Sequence, residues 1–311
     1  MLRTAVALAA LWGALAIHYL LDADALVGWA SLATWLGVGA AALWALRRDR
    51  ENWAVVGIFG VAFAGLFGGW WAMQPSQDRD WADDVAQRLQ AEVDGHRVVL
   101  HNVRDFDWTS ETVYRPRWET RSYDLDRLVS ADLAMSYWMG PAIAHTLISF
   151  GFDDGSRVVF SLEIRKERRE SFSALGGFFR KFEETLVAAD ERDILRVRTN
   201  VRGEDMYLYR LAIPPKALRE MFLGYVARAQ ALDRTPQFYN TLTSNCTTIV
   251  FELARQLEPA LPLDYRLLLS GYVAEYAYDQ HGLLPGYDYP TLRRLGHLTA
   301  RARAADRAAD F

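Results

Sequence analysis

The chain has 311 residues and a net charge of −4, from 35 Lys and Arg against 39 Asp and Glu. That length fits one or two domains, and the lack of any basic block argues against nucleic acid as a partner. A single cysteine, Cys246, rules out an intramolecular disulfide and leaves one thiol to explain.

The first 76 residues are dominated by apolar runs at 4–21, 26–46 and 54–73. A helix needs about 20 such residues to cross a bilayer core, so residues 1–76 read as a membrane domain with three transmembrane helices. Arg3 before the first run resembles the start of a signal peptide. However, Leu20, Leu21, Asp22, Ala23 and Asp24 end that run without a small-x-small cleavage site. Positive charge in short loops sets orientation. Arg3 precedes the first run, Asp22 and Asp24 follow it, and Arg47, Arg48 and Arg50 lie between the second and third. The N-terminus is then inside, and residues 77–311 emerge on the outer face. For a bacterial inner (cytoplasmic) membrane that face is the periplasm. Trp53, Trp70 and Trp71 bracket the third run as interfacial anchors would.

Beyond the spans, residues 79–92 read as a helix, and 97–103 and 118–124 as strands. Residues 126–138 read as a short helix or an irregular element. Strands at 145–152 and 157–165 flank Asp153-Asp154-Gly155, which reads as the three-residue loop of a hairpin. Residues 171–183, with Gly176-Gly177, read as a loop and a short helix, and 195–200 and 206–212 as two more strands. Pro214-Pro215 then precedes a helix over 216–231, with Leu218, Met221, Phe222, Tyr225 and Val226 on one face. Ile249, Val250, Leu253 and Leu257 recur at helical spacing over 246–257, a helical stretch covers 263–281, and the Arg/Ala-rich tail from Leu292 frays. The sum is an α+β domain, an antiparallel sheet with packed helices.

Cys246 lies in Thr243-Ser244-Asn245-Cys246-Thr247-Thr248, capping residues directly ahead of the 246–257 helix. That places the thiol on a first helical turn, where unpaired N–H groups and the helix dipole favour a thiolate. A lone cysteine also serves as a small core residue, so nucleophilic chemistry requires a base. Of the six histidines, His18 lies in the first span, His96 and His101 flank a strand, and His281 and His297 fall in turns or the tail. His145 opens a strand after Gly140-Pro141. With a three-residue hairpin loop, Phe152 pairs with Ser156 and His145 falls opposite Glu163 on one face, Cβ atoms about 5 Å apart. A two-residue loop would turn Glu163 to the other face, and Glu163 also reads as an exposed strand carboxylate paired with Arg165 or Lys166. Cys246, His145 and Glu163 are therefore the candidate nucleophile, base and orienting carboxylate. Asn245 and Thr247 are candidates for holding an oxyanion, and Tyr239 and Ser244 for supporting the pocket; for each, capping or packing is the stronger reading. No Cys/His cluster has metal-ligand spacing, no phosphate-binding Gly loop is present, and no cofactor is implied. Ser149 and Ser161 lack a nucleophile elbow.

Several motifs together resemble the Lnb-type periplasmic domain, over roughly residues 95–260. They are Ala144-His145-Thr146 through Ser149-Phe150, Asp154-Gly155, Ser161-Leu162-Glu163-Ile164-Arg165, Tyr207-Leu208-Tyr209, and Phe238-Tyr239-Asn240 through Asn245-Cys246-Thr247-Thr248. That family is similar to permuted papain-like thiol enzymes, the NlpC/P60 and lecithin–retinol acyltransferase group, in which the histidine strand precedes the cysteine helix. The resemblance implies a lipoprotein N-acyltransferase over residues 77–311. Cys246 would take an acyl chain from a phospholipid as a thioester, and the α-amine of a diacylglyceryl lipoprotein would attack it. His145 would move the protons and Glu163 would orient His145. Ser161, Arg165 and Tyr239, inside the resembling motifs, join Asn245 and Thr247 as candidate substrate or oxyanion residues. Trp108, Trp118 and Trp138 are candidates for guiding the chain, though each fits core packing better. One feature departs from the family pattern: there the periplasmic domain comes first and spans follow, whereas here three apolar runs stand in front.

Three readings result. One is a membrane-anchored thiol acyltransferase with phospholipid, lipoprotein and the membrane as partners. Another is a papain-like thiol peptidase or amidase acting on cell-envelope peptides, with water in place of the amine. The third is a non-enzymatic envelope scaffold in which Cys246 is merely buried.

Overall fold

The computed structural model describes residues 1–21, 25–47, 53–306, 308 and 311. The three apolar runs form helices α1 (Leu2–Leu20), α2 (Ala25–Ala45) and α3 (Trp53–Ala72), each long and apolar enough to cross a membrane. Asp22, Asp24, Arg48 and Arg50, on which the expected orientation partly rests, lie outside the described residues. Trp35 of α2 lies against α1, its Nε1 donating to Ala10 O at 2.8 Å. A Cβ on Gly13 would come within 2.3 Å of the Trp35 ring, so glycine is what admits the indole.

These helices belong to a compact unit of residues 1–77, 172–183 and 238–241. Within it Trp70 Nε1 donates to Phe179 O at 3.2 Å. Arg180, in the left-handed region at φ 59°, lies 4.6 Å from the Trp70 ring centroid and donates to Trp71 O at 2.8 Å. The short helix expected within 171–183 is a single 3₁₀ turn, Gly176–Phe179.

The second unit comprises residues 78–171, 184–237 and 242–311. Its strands are β1 (Gln90–Asp94), β2 (Arg97–Arg104), β3 (Asp107–Trp108), β4 (Tyr114–Arg115), β5 (Trp118–Asp124), β6 (Leu128–Tyr137), β7 (Ala144–Phe152), β8 (Arg157–Arg165), β9 (Glu183–Ala189, whose first residue belongs to the first unit) and β10 (Asp205–Arg210). Its helices are α4 (Glu191–Arg196), α5 (Pro215–Arg234), α6 (Cys246–Leu257), α7 (Val273–Asp279), α8 (Tyr289–Gly296) and α9 (Thr299–Ala305). The main sheet runs β1-β2-β9-β8-β7-β6-β10, with β5 added on β2, while β3 and β4 pair separately.

The expectation of an antiparallel sheet is corrected between β2 and β9. β2 and β9 run parallel, paired at Arg104 and Ala189. These strands are far apart in sequence, so no tight turn imposes antiparallel pairing on them.

Both faces of the sheet are covered. On one, Phe222 and Tyr225 of α5 pack on Phe150 and Phe160, with ring centroids 5.1 Å apart for Phe150–Phe222 and for Phe160–Tyr225. Ile249 and Leu253 of α6 join that core. On the other, Leu147, Val159 and Val187 pack against Ile194 and Leu195 of α4. The β7–β8 hairpin has the three-residue loop: Phe152 N donates to Ser156 O at 3.0 Å, Gly155 sits at φ 85°, and Ile148 lies opposite Phe160.

Several elements differ from expectation. Residues 79–92 hold only a 3₁₀ turn, Asp83–Val85, before β1. Arginines capture the carbonyls that a helix would use: Arg104 Nη1 binds Asp84 O at 2.9 Å, and Arg165 binds Val85 O at 3.1 Å and Ala86 O at 2.8 Å. The stretch 126–138 is mostly strand β6. Its buried polar residues hid the pattern, but they are satisfied in space, Asp132 by Arg210 at 2.7 Å and Ser136 by Glu204. The strand expected at 195–200 is the end of α4 and a π-helical turn, Val197–Val201. Its β-branched residues favour strand only weakly against tertiary context, and Asp190 caps the helix by accepting from Arg192 N. The stretch 263–281 is two 3₁₀ turns followed by α7. The tail forms α8 and α9, the latter held by Asn200 Nδ2 donating to Ala302 O at 3.0 Å.

Candidate active site

Helix α6 begins at Cys246 because Asn245 caps it. The Asn245 Oδ1 accepts from Thr247 N at 2.9 Å and Thr248 N at 3.0 Å, and the Thr248 hydroxyl returns a bond to the Asn245 backbone. Such a capping box fixes the first turn and puts the thiol at the positive end of the helix dipole. Cys246 is 8% exposed. The turn ahead of it is tied down by Glu184, which accepts from Ser244 Oγ and from Arg228 Nε at 3.1 Å.

Strand β7 brings His145 to this thiol. The imidazole and the Thr146 N–H are the groups that act in favour of the Cys246 thiolate. The neighbouring Thr146 hydroxyl lies 3.3 Å from that of Thr247. On the far side of the ring, Nε2 lies 2.7 Å from Ser161 Oγ and 3.1 Å from Glu163 Oε1. Ser161 Oγ donates to the same Glu163 oxygen at 2.7 Å. The hairpin register carries this meeting: with Ile148 opposite Phe160, alternation three positions further along brings His145 level with Glu163.

Other charges complete the cluster. Arg198 Nη2 lies 3.1 Å from Glu163 Oε1, and its Nη1 lies 3.2 Å from Glu204 Oε2. Burial pushes the His145 imidazolium down, and the Arg198 cation adds to that. The Glu163 carboxylate and the Cys246 sulfur outweigh both, so its pKa is pushed up to about 9. Burial would raise Glu163, yet His145, Arg198 and Ser161 hold it well below the usual carboxylate range. Burial also raises the thiol, but His145 and Thr146 N–H bring Cys246 below its ordinary value despite Glu163. An arrangement of this kind supports a thiolate–imidazolium pair at neutral pH, with Glu163 holding the imidazole from behind.

The remaining candidates fall in different places. Asn245 and Thr247 are engaged in the cap, and Ser161 bridges His145 and Glu163. The Arg165 guanidinium lies over the Trp81 ring at 4.4 Å and binds Val85 O and Ala86 O. Tyr239 belongs to the first unit, where its N–H donates to Phe182 O at 3.0 Å. Trp108 is buried, its Nε1 donating to Asp193 at 2.7 Å, whereas Trp138 is 42% exposed. Among the described residues no cluster of His, Cys, Asp and Glu could hold a metal. Sequence reasoning missed Arg198, Glu204 and Ser136. Their stretches carry no motif; the folded turn brings Arg198 to Glu163, and Arg198 links Glu163 to Glu204, which Ser136 of β6 bonds.

No curated protein and no solved structure matches this chain. A profile of the Lnb N-terminal periplasmic domain matches residues 114–271, which include His145, Glu163, Arg198 and Cys246. That match spans just over half of the sequence, and the chain therefore belongs to the Lnb N-terminal periplasmic domain family.

Proposed function

We propose that this protein is a membrane-anchored thiol acyltransferase that moves an acyl chain from a phospholipid to the N-terminal amine of a diacylglyceryl lipoprotein. One observation carries the chemistry: Glu163 Oε1 lies 3.1 Å from Nε2 of His145, the imidazole that favours the Cys246 thiolate. Family membership and three membrane-length helices support the substrate class, because donor and acceptor both reside in a bilayer. The order of His145 strand before Cys246 helix agrees with a permuted papain-like arrangement.

In the first step the Cys246 thiolate attacks the ester carbonyl of the phospholipid. The C–O bond to glycerol breaks, His145 imidazolium gives its proton to the leaving oxygen, and a lysophospholipid departs. In the second step the lipoprotein amine attacks the thioester. The C–S bond breaks, an amide forms, and the amine proton goes to His145, which restores the starting pair. In this reading Glu163 holds the imidazole and stabilises its cation. Cys246 N–H at the start of α6 is a donor suited to the oxyanion. The protein sits in a bacterial inner membrane with its N-terminus inside and residues 77–311 in the periplasm.

Incubating the full chain with phospholipid micelles should add one acyl mass to Cys246, removable by hydroxylamine. Adding a diacylglyceryl-cysteine peptide should then yield N-acylated peptide. Release of free fatty acid without peptide acylation would favour a hydrolase, and absence of any adduct in a folded, lipid-exposed protein would exclude thioester chemistry.

A further inference from the structure

Arg198 lies in the π-helical turn Val197–Val201, closed by Arg202 N donating to Val197 O at 2.9 Å. A π turn is rare and recurs at functional positions. The Arg198 side chain is 7% exposed, and among the described residues its Nε has no partner. Burying a cation this deeply costs several kcal/mol, and a packed apolar residue often does as well for stability. Two features suggest what offsets that cost. Arg198 joins two carboxylates, Glu163 at 3.1 Å and Glu204 at 3.2 Å. It also addresses the one Glu163 oxygen, Oε1, that faces His145 and Ser161. Glu204 is fixed in turn by Ser136 Oγ, and Ser136 is the β6 residue paired with His145.

We propose that Arg198 is a positioning residue for the Cys246–His145 pair, clamping Glu163 to Glu204 so that Oε1 is fixed against His145 Nε2 and setting a second cation near the imidazole. This rests on the reading of Cys246, His145 and Glu163 as the reacting group. The groups around the ring are Glu163 and Ser161 from β8, Cys246 from α6, Ser136 from β6 and Arg198 from the π turn, with Arg104 and Arg202 acting on Glu163 from farther off. A carboxylate alone would hold the imidazolium proton tightly and make it a poor acid toward the leaving oxygen. Arg198 opposes that while keeping Glu163 ionised.

The test uses the full chain in detergent with ¹³C-labelled histidine, the His145 signal being the one lost in His145→Asn. In Arg198→Met the His145 titration midpoint should rise by about one unit, since a neighbouring cation is gone. Glu163→Gln should move it down. Transfer from dioleoylphosphatidylethanolamine to a diacylglyceryl-cysteine peptide should slow by about 10- to 100-fold in Arg198→Met. Arg198→Lys should restore the midpoint but only part of the rate, because an ammonium lacks the two-pronged fork. A wild-type rate together with an unchanged midpoint in folded Arg198→Met overturns the proposal. If that variant does not fold, Arg198→Lys decides it, and a wild-type rate there overturns the clamp. The wild type answers separately for the underlying pair: Cys246 alkylation by iodoacetamide with no thiolate plateau below the normal thiol range removes that reading, whatever Arg198 does.

Discussion

Replacing Glu163 with Gln keeps the shape of the side chain and removes its charge. In the wild type, Glu163 Oε1 and His145 Nε2 are 3.1 Å apart, and the two side chains are 18% and 15% exposed. Opposite charges centred about 4 Å apart at an effective dielectric near 20 attract by about 4 kcal/mol, or roughly three pH units. This is a gross figure, reduced by the Arg198 cation and by the water that reaches the pair. The sign is fixed: Glu163 favours the charged imidazole, so its loss lowers His145 from about 9 toward neutrality or below. The imidazolium then ceases to support the thiolate at pH 7, and the Gln amide is free to present N–H where an acceptor is needed. Thioester formation should slow by about 10²- to 10³-fold at pH 7, with the alkaline limb of its pH profile displaced to lower pH. Single-turnover acylation of Cys246 between pH 5 and 10, followed by intact-protein mass, measures both quantities. A variant within twofold of wild type at pH 7, with its alkaline limb in place, would show that another group orients His145.

Cys246→Ala should abolish the acyl adduct while its melting temperature stays close to wild type, and retained transfer would exclude a covalent route. Asn245→Ala removes the capping box of α6 and should cost about 1 kcal/mol, read as a lower urea midpoint; an unchanged midpoint would mean packing alone holds that turn. Gly271→Ala would bring a Cβ within 2.1 Å of Pro141 O and 2.7 Å of Ala142 C. Backbone cannot yield there cheaply, so a loss of about 1–3 kcal/mol is expected in denaturant titrations. His145 is raised in the fold, so its contribution to stability is complete below about 6.5, the ordinary histidine value, and is lost as pH rises through about 9. The stability gap between wild type and His145→Asn, measured by urea titration, should therefore close over that range, and a gap constant from pH 6 to 10 would contradict the pairing.

What was legible in the sequence is what depends on local pattern. The helix at Cys246–Leu257 follows from a polar cap ahead of apolar residues at helical spacing, and β8 follows from a β-branched run between a turn and a charged segment. The meeting of His145 and Glu163 was legible because one loop length sets the register of a whole hairpin. The failures share a cause. Residues 79–92 have helical spacing, but Arg104 and Arg165, distant in sequence, take their carbonyls. Strand β6 carries Asp132 and Ser136 because their partners arrive from β10, Arg157 and the segment after the π turn, and no window of local sequence contains those partners. Arg198 was invisible for the same reason. Its surroundings, Val197, Thr199 and Val201, resemble strand, and its role exists only once the turn is packed against β8.

The site forms a series of ionisable groups: the Cys246 thiol, the His145 imidazole, then Glu163, Arg198, Glu204 and Arg202, the last pair 3.8 Å apart. Each member is largely or partly withdrawn from water, and desolvation of several such groups tends to cancel the attraction between them. Stability alone therefore gives a weak reason for the series, whereas reactivity gives a strong one. Removing an interior member leaves its neighbours as buried charges without a counterpart, so the pKa values at the reacting end depend on groups that never touch a substrate. In the proposed reaction the thiol and the imidazole exchange a proton, which requires that neither hold it too tightly. A lone Cys–His contact in this core would be pushed by burial toward its uncharged form. Glu163 reverses that push, and Arg198 limits the reversal. On this argument the π turn belongs to the reactive machinery as much as β7 and α6 do, since it delivers the charge that keeps the pair within reach of both protonation states.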